Sequence, residues 1–385
     1  MSKHDFSAAE FADRLARTRA AIAAEGLDWL VAVHPVSIHW LTGSDAKSYQ
    51  EFQCLLVGAR DEPLVVLTRN GEVHEFRTDS LADEVYGFGG GENEDPIAAF
   101  AGVVERHGLK GKRVGLEVPA YYLHPHHYLA LRDLLGTSLV AEPTHLVAGL
   151  KLVKSAAEIG YIRRAAEIAS LGVARFRQDL AAGKSELALA GGIYETLLGH
   201  GSGIAASPIN LVSGPRSAFS HGAPTERRLR RGDYGSVEFG AAVRRYTSTV
   251  GRQFVLGSPT ARMLELYDVV RRAGDAMMAT IGDGVPAAVP HRAACAVIAE
   301  AGLEPYRVHL SGYGLAPGFP PSWAEPLHLI GDSRQVLKAG MVVTVEPPVF
   351  VGPEGLGARL IDNVLITASG NEILGDSSRD LIVAD

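Results

Sequence analysis

Three polar residues stand out because each interrupts an apolar or glycine-rich context: His221, Glu238 and Glu346. His221 closes the loop Ser213-Gly-Pro-Arg-Ser-Ala-Phe-Ser-His221. An imidazole there titrates near neutrality and can act as acid or base, or it can be an ordinary surface histidine. Glu238 lies in the strand-like run Asp233-Tyr-Gly-Ser-Val-Glu238-Phe-Gly240. A carboxylate inside a strand is unfavourable unless paired or hydrogen-bonded, so either an ion pair with Arg244, Arg245 or Arg252 or a chemical role is expected. Glu346 repeats the pattern by ending the apolar run Met341–Val345 before two prolines. Two strand-borne carboxylates and one histidine form a possible acid, base and nucleophile set. A fourth segment, His309-Leu-Ser-Gly-Tyr313 running on to Pro320-Pro-Ser-Trp323, is a glycine- and proline-rich loop with aromatics. Loops of this kind close small-molecule pockets or pack as plain turns. His124-Pro-His126-His127 has metal-like composition, but the intervening proline and the lack of a nearby carboxylate favour a solvated loop.

The elements that must position these residues fall into two groups. Ser7 with Glu10 opens a helix carrying Phe11, Leu15 and Ile22, and short apolar strands follow at Leu30–Val33, Cys54–Gly58, Pro63–Leu67 and Arg113–Glu117. Helices near 95–107 and 128–135 alternate with them, predicting a small α/β domain over residues 1–150. Ser155 with Glu158 then caps a long amphipathic helix, another helix covers 185–198, and strands are expected at 210–213, 234–246 and 249–256. Helices near 261–281 and 289–301 precede a β-rich final third, so the second domain spans 151–385. The fold class is α+β.

Composition bounds the function. A chain of 385 residues exceeds a single core of ordinary size. At 46% hydrophobic and 21% charged it is globular, and a formal charge of −7 argues against nucleic acid or an anionic membrane as partner. Two cysteines, Cys54 and Cys295, are too few for a disulfide framework or a thiolate metal site. No signal-like start and no long apolar span are visible, so a cytoplasmic location is expected.

Taken in order, Lys154-Ser-Ala-Ala-Glu158, the loop ending at His221, Gly232-Asp233 and Met341-Val-Val-Thr-Val-Glu346-Pro347 resemble the pita-bread fold. That fold belongs to the creatinase, prolidase, aminopeptidase P and methionine aminopeptidase superfamily. The first third, from Phe6-Ser-Ala-Ala-Glu10, resembles the creatinase-type N-terminal domain. The resemblance implies a homodimer in which the loop Ser44–Phe52, with Tyr49 and Glu51, reaches the partner's site. Peptidases of the superfamily hold two metal ions on two aspartates, one histidine and two glutamates. By motif those positions are Glu238, Thr249, Tyr313, Glu346 and Ile361, so three of five are not ordinary metal ligands.

On that ground no metal and no cofactor are expected, and the resemblance points to the metal-free branch, most like ectoine hydrolase. It implies a hydrolase of a non-peptide C–N bond in a small nitrogen-rich solute. Glu238 would be nucleophile, His221 acid and base, and Glu346 the third catalytic residue. Tyr246, Arg252, Tyr313, Trp323 and Tyr49 would bind substrate. Two other classes stay open: a peptidase with a degenerate metal site, and a non-catalytic pita-bread binding module.

Overall fold

A computed structural model describes residues 2–45, 48–91 and 95–385. It divides into two units, Met1–Lys151 and Leu152–Asp385. In the first, strands β1 (Trp29–Ala32), β2 (Cys54–Gly58), β3 (Val65–Arg69), β4 (Glu84–Phe88), β5 (Val114–Leu116) and β6 (Leu139–Ala141) form one sheet ordered β4-β3-β2-β1-β5-β6. β1 pairs antiparallel with β2 and parallel with β5. The parallel pairs need crossovers, which helices supply. Ser7 caps the helix that precedes β1, α1 (Ala8–Ala24), by accepting from the Glu10 amide. His124 does the same for Pro125–Leu135 through its ring nitrogen, so this histidine of the triplet is a helix cap. Glu117 is buried at the end of β5 and accepts from the Val33 and His34 amides, each at 2.9 Å, and from Ser37 Oγ at 2.7 Å.

The second unit is built on a larger sheet. Its strands are β7 (Asn210–Ser213), β8 (Tyr234–Val243), β9 (Tyr246–Leu256), β10 (Tyr313–Phe319), β11 (Ser322–His328), β12 (Val342–Val345), β13 (Val349–Val351), β14 (Leu356–Ala358), β15 (Asp362–Thr367), β16 (Gly370–Leu374) and β17 (Ile382–Ala384). The main order is β16-β15-β12-β10-β9-β8-β7, with β11 on β10 and β17 parallel to β9, while β13 and β14 pair separately. The sequence reading extends β8 through Tyr246. Instead the strand turns at Arg244 and Arg245, both at positive φ, which is what a two-residue hairpin with matched twist demands.

Period-two alternation sorts the strand residues onto two faces. Val237, Phe239 and Ala241 of β8, with Val250 and Phe254 of β9, join a core with Ile168, Phe176, Leu189 and Ile193 from the helices Ala156–Asp179 and Glu186–Gly199. Val343 and Val345 of β12, with Val364 and Ile366 of β15, pack on Leu266, Val270, Met277 and Ile298 from Ala261–Met278 and Ala288–Glu300. Each such side chain, fully buried, stabilises the fold by about 1.5–3 kcal/mol. The opposite face of the same strands carries Glu238, Gly240, Thr249 and Thr344, and there the polar chemistry collects.

Candidate active site

Glu238, Glu346, His221, His309, Tyr313, Pro348, Arg359 and Ile361 line one cavity on this face. Glu238 comes from mid-β8, where its register partners are Asn210 on β7 and Gly251 on β9. Asn210 Nδ2 donates to Glu238 Oε2 at 3.2 Å. The ion-pair partner of Glu238 is Arg359, and not Arg244, Arg245 or Arg252. Arg359 Nη1 bonds Glu238, Nη2 bonds the Ser220 carbonyl, and the guanidinium stands 5.5 Å from the centre of the Phe350 ring. The side chain is 5% exposed, so this is a buried cation matched to a buried anion.

Glu346 follows β12 and is fixed by its own amide, which donates to the Ser311 carbonyl at 2.9 Å. Burial pushes its carboxyl well above the usual range, and the Glu238 charge adds to this against the opposing pull of Arg359. Glu346 Oε1 takes no hydrogen bond among the described residues. The nearest basic group is His309 Nδ1 at 3.7 Å, but that nitrogen lies 2.9 Å from the Leu310 carbonyl. A carbonyl only accepts, so Nδ1 carries the hydrogen and Nε2 keeps the lone pair. Burial, with Arg359 and His221 as like charges, holds His309 below its ordinary value. His309 and Glu346 thus lie side by side, and burial works against the charged form of each. The His221 ring lies 5.6 Å from that of His309.

Tyr313 opens β10. Its amide donates to Thr344 Oγ1 at 3.0 Å, and its hydroxyl accepts from Trp323 Nε1 at 2.9 Å. Burial first, then the Glu346 and Glu238 charges, keep the phenol protonated. Ile361 fills the far wall. It pairs with Gly251 through bonds of 3.2 and 3.0 Å, and a Cβ on Gly251 would stand 2.6 Å from the isoleucine side chain.

The donors can now be tested against a two-metal centre. Only Glu238 and Glu346 offer carboxylates, Thr249 donates its hydroxyl to the Phe239 carbonyl at 3.3 Å, and Ile361 offers nothing. The Arg359 guanidinium occupies the side of Glu238 that a cation would share. Among the described residues no group of three or more His, Cys, Asp or Glu side chains is arranged to hold a metal ion. The residues present do not fit that centre.

Other expected site residues lie elsewhere. Tyr246 is wholly buried and donates to Glu158 Oε1 at 2.8 Å, with its ring stacked 5.8 Å from Tyr161. Arg252 spends every N–H on the protein, as described below, and has none for a substrate. Trp323 reaches the cavity only through Tyr313. Tyr49 belongs to the first unit, where its ring meets Tyr122 at 5.9 Å. Residues 46 and 47 of its loop lie outside the described residues. Arg359, Asn210 and the role of His309 were not anticipated. The available signal for Arg359 was a charge within the otherwise apolar run Leu356–Ile361.

Comparison with known proteins places the chain. The family description "Metallopeptidase family M24" matches residues 160–368, more than half its length. The chain belongs to the metallopeptidase family M24. The N-terminal unit of this M24 chain matches the "Creatinase/Prolidase N-terminal domain" over residues 14–153, so a creatinase-type domain precedes the pita-bread domain. "Probable dipeptidase PepE" of Mycobacterium tuberculosis is 31% identical over 391 residues, covering 100% of this chain and 99% of that protein. "Xaa-Pro dipeptidase" of Pyrococcus horikoshii is 30% identical over 62% of this chain and 66% of that protein. The crystal structure of dipeptidase PepE from Mycobacterium ulcerans matches with a TM-score of 0.85 at 28% identity, over 98% of this chain and 99% of that one. These relatives are named as dipeptidases. They overturn the expectation of a non-peptide C–N hydrolase resembling ectoine hydrolase.

Proposed function

We propose that this M24 chain hydrolyses short peptides, with dipeptides as the first class to try. The observation that carries the reading is the end-to-end similarity to proteins named as dipeptidases. The cavity contributes groups suited to an amide. Tyr313 and Arg359 offer hydrogen-bond donors to a carbonyl, His309 Nε2 offers a base, and Glu346, whose protonated form burial favours, offers a proton to a departing nitrogen. His221 stands at the mouth beside His309. The enclosed space is about 30 Å³, room for one carbonyl-sized group. A peptide would thus insert its reacting amide and keep its remainder outside. No step is assigned to a metal, since the donor set does not fit one. A homodimer belongs to the same reading and is checked by sedimentation.

One observation favours a second reading, a peptide-binding member without turnover: three of the five family ligand positions are Thr249, Tyr313 and Ile361. A single experiment separates the two. The purified chain is offered a panel of dipeptides, Xaa-Pro included, with and without added Mn²⁺, while amine release and calorimetric binding are followed. Turnover supports the first reading. Binding without turnover selects the second, and neither signal sinks both.

A further inference from the structure

The contact between Trp323 and Tyr313 has a fixed direction. An indole N–H only donates, whereas a phenol both donates and accepts. At 2.9 Å the phenol oxygen must be the acceptor, and its own O–H has to point elsewhere. Among the described residues that O–H has no acceptor. Across the cavity, Glu346 Oε1 is buried and takes no hydrogen bond either, so two unsatisfied polar groups face the same space. Two such groups in one buried cavity indicate a ligand that satisfies both.

The indole is held against bare backbone. A Cβ on Gly240 would stand 2.9 Å from the Trp323 ring, and one on Gly318 would stand 3.0 Å from the Trp323 Cβ. Both glycines leave room that the tryptophan takes up, and its side chain is 4% exposed. Tyr313 is tied from behind as well, its amide held by Thr344. We propose that Trp323 locks Tyr313 as a hydrogen-bond donor to the carbonyl oxygen of the bound peptide, and to the oxyanion that develops from it. Tyr313 is then a catalytic residue and Trp323 a positioning residue. This rests on the peptide reading above, and it assigns to a phenol the charge stabilisation that the family's ligand position would otherwise serve. Preorganised donors of this kind act chiefly on the transition state, because they need not reorient when charge appears.

The test uses the full chain with Tyr313→Phe and Trp323→Phe, each checked for native circular dichroism and melting. Two readouts are taken: dipeptide turnover, and calorimetric binding of a dipeptide phosphinate, whose tetrahedral anionic oxygen mimics the oxyanion. Tyr313→Phe is expected to lower kcat about a hundredfold with KM changed less than about threefold, and to weaken the phosphinate by a similar factor. Trp323→Phe should give the same pattern at about tenfold, since it frees the phenol without removing it. A Tyr313→Phe enzyme that keeps its kcat, or that loses only KM, overturns the donor role and leaves the peptide reading intact. If no dipeptide is cleaved, that reading fails, and the phosphinate decides the donor. Binding that Tyr313→Phe weakens supports it, and absent or unaffected binding overturns it.

Discussion

Two buried guanidinium–carboxylate pairs lie on the second unit's sheet, and they differ in what they leave over. Arg252 donates from Nε to the Ser378 carbonyl at 2.8 Å, and from Nη1 to the Gly251 and Ile361 carbonyls at 2.9 and 2.8 Å. From Nη2 it reaches Asp362 at 2.9 Å and the Ser377 carbonyl at 3.1 Å. All five N–H groups are used, and Asp362 also takes Arg379 Nε at 2.8 Å. Arg359 and Glu238 form the other pair, but around them stand an unbonded Glu346 oxygen and a Tyr313 O–H that donates to no described residue. A saturated charge pins strands together. A charge among unsatisfied neighbours belongs to a binding site.

The largest effect expected from this contrast is on stability. Arg252→Ala leaves Asp362 short of a partner and the C-terminal carbonyls unpaired, so denaturant titration should show a loss of about 3–5 kcal/mol. A loss under 1 kcal/mol would break the contrast. Tyr246→Phe removes a buried bond to a carboxylate and should lose about 1.5–3 kcal/mol while peptide turnover per folded molecule is unchanged. A fall in turnover there would return Tyr246 to the site. Glu346→Gln acts through pH. The raised folded value means that Glu346 contributes stability fully below the ordinary carboxylate value of 4.5, and that this is lost as pH rises through the higher folded value. The melting temperature of the variant should therefore decline less than wild type from 4.5 upward, and parallel curves would show Glu346 ionised in the fold. Smallest of all, Arg163→Ala breaks an exposed bidentate pair with Glu372 and should change stability by less than about 1 kcal/mol, shrinking further in high salt.

Glu238, Glu346 and His221 were legible because each breaks a pattern that the surrounding residues set. A polar group within an apolar strand must have a partner, and that requirement can be read without coordinates. What could not be read is which partner. Arg359 lies 121 residues beyond Glu238, and only the order of strands brings them together. Tyr246 and Arg252 were assigned to substrate from resemblance, yet helix Ala156–Asp179 and the C-terminal segment claim their polar atoms. The α+β class follows from local periodicity, which needs no long-range contact. The chemistry depends on pairings across the sheet, and the relatives overturned the expectation of solute C–N bonds.

The close packing of Ile361 on Gly251 also bears on which substitutions this site can accept. The isoleucine takes the volume that the glycine surrenders, with a carbonyl–amide exchange on both sides. Restoring a carboxylate by Ile361→Glu alone would bury a third acid beside two others, with the nearby guanidinium of Arg252 already fully engaged. That penalty, several kcal/mol, is a large share of the 5–15 kcal/mol by which an ordinary domain is stable. The same holds for Thr249 and Tyr313 taken singly, because one ligand without its companions has nothing to bind. Building the five-ligand set into this chain would need several simultaneous substitutions, so the wall formed by Gly251 and Ile361 is a barrier that no single change crosses.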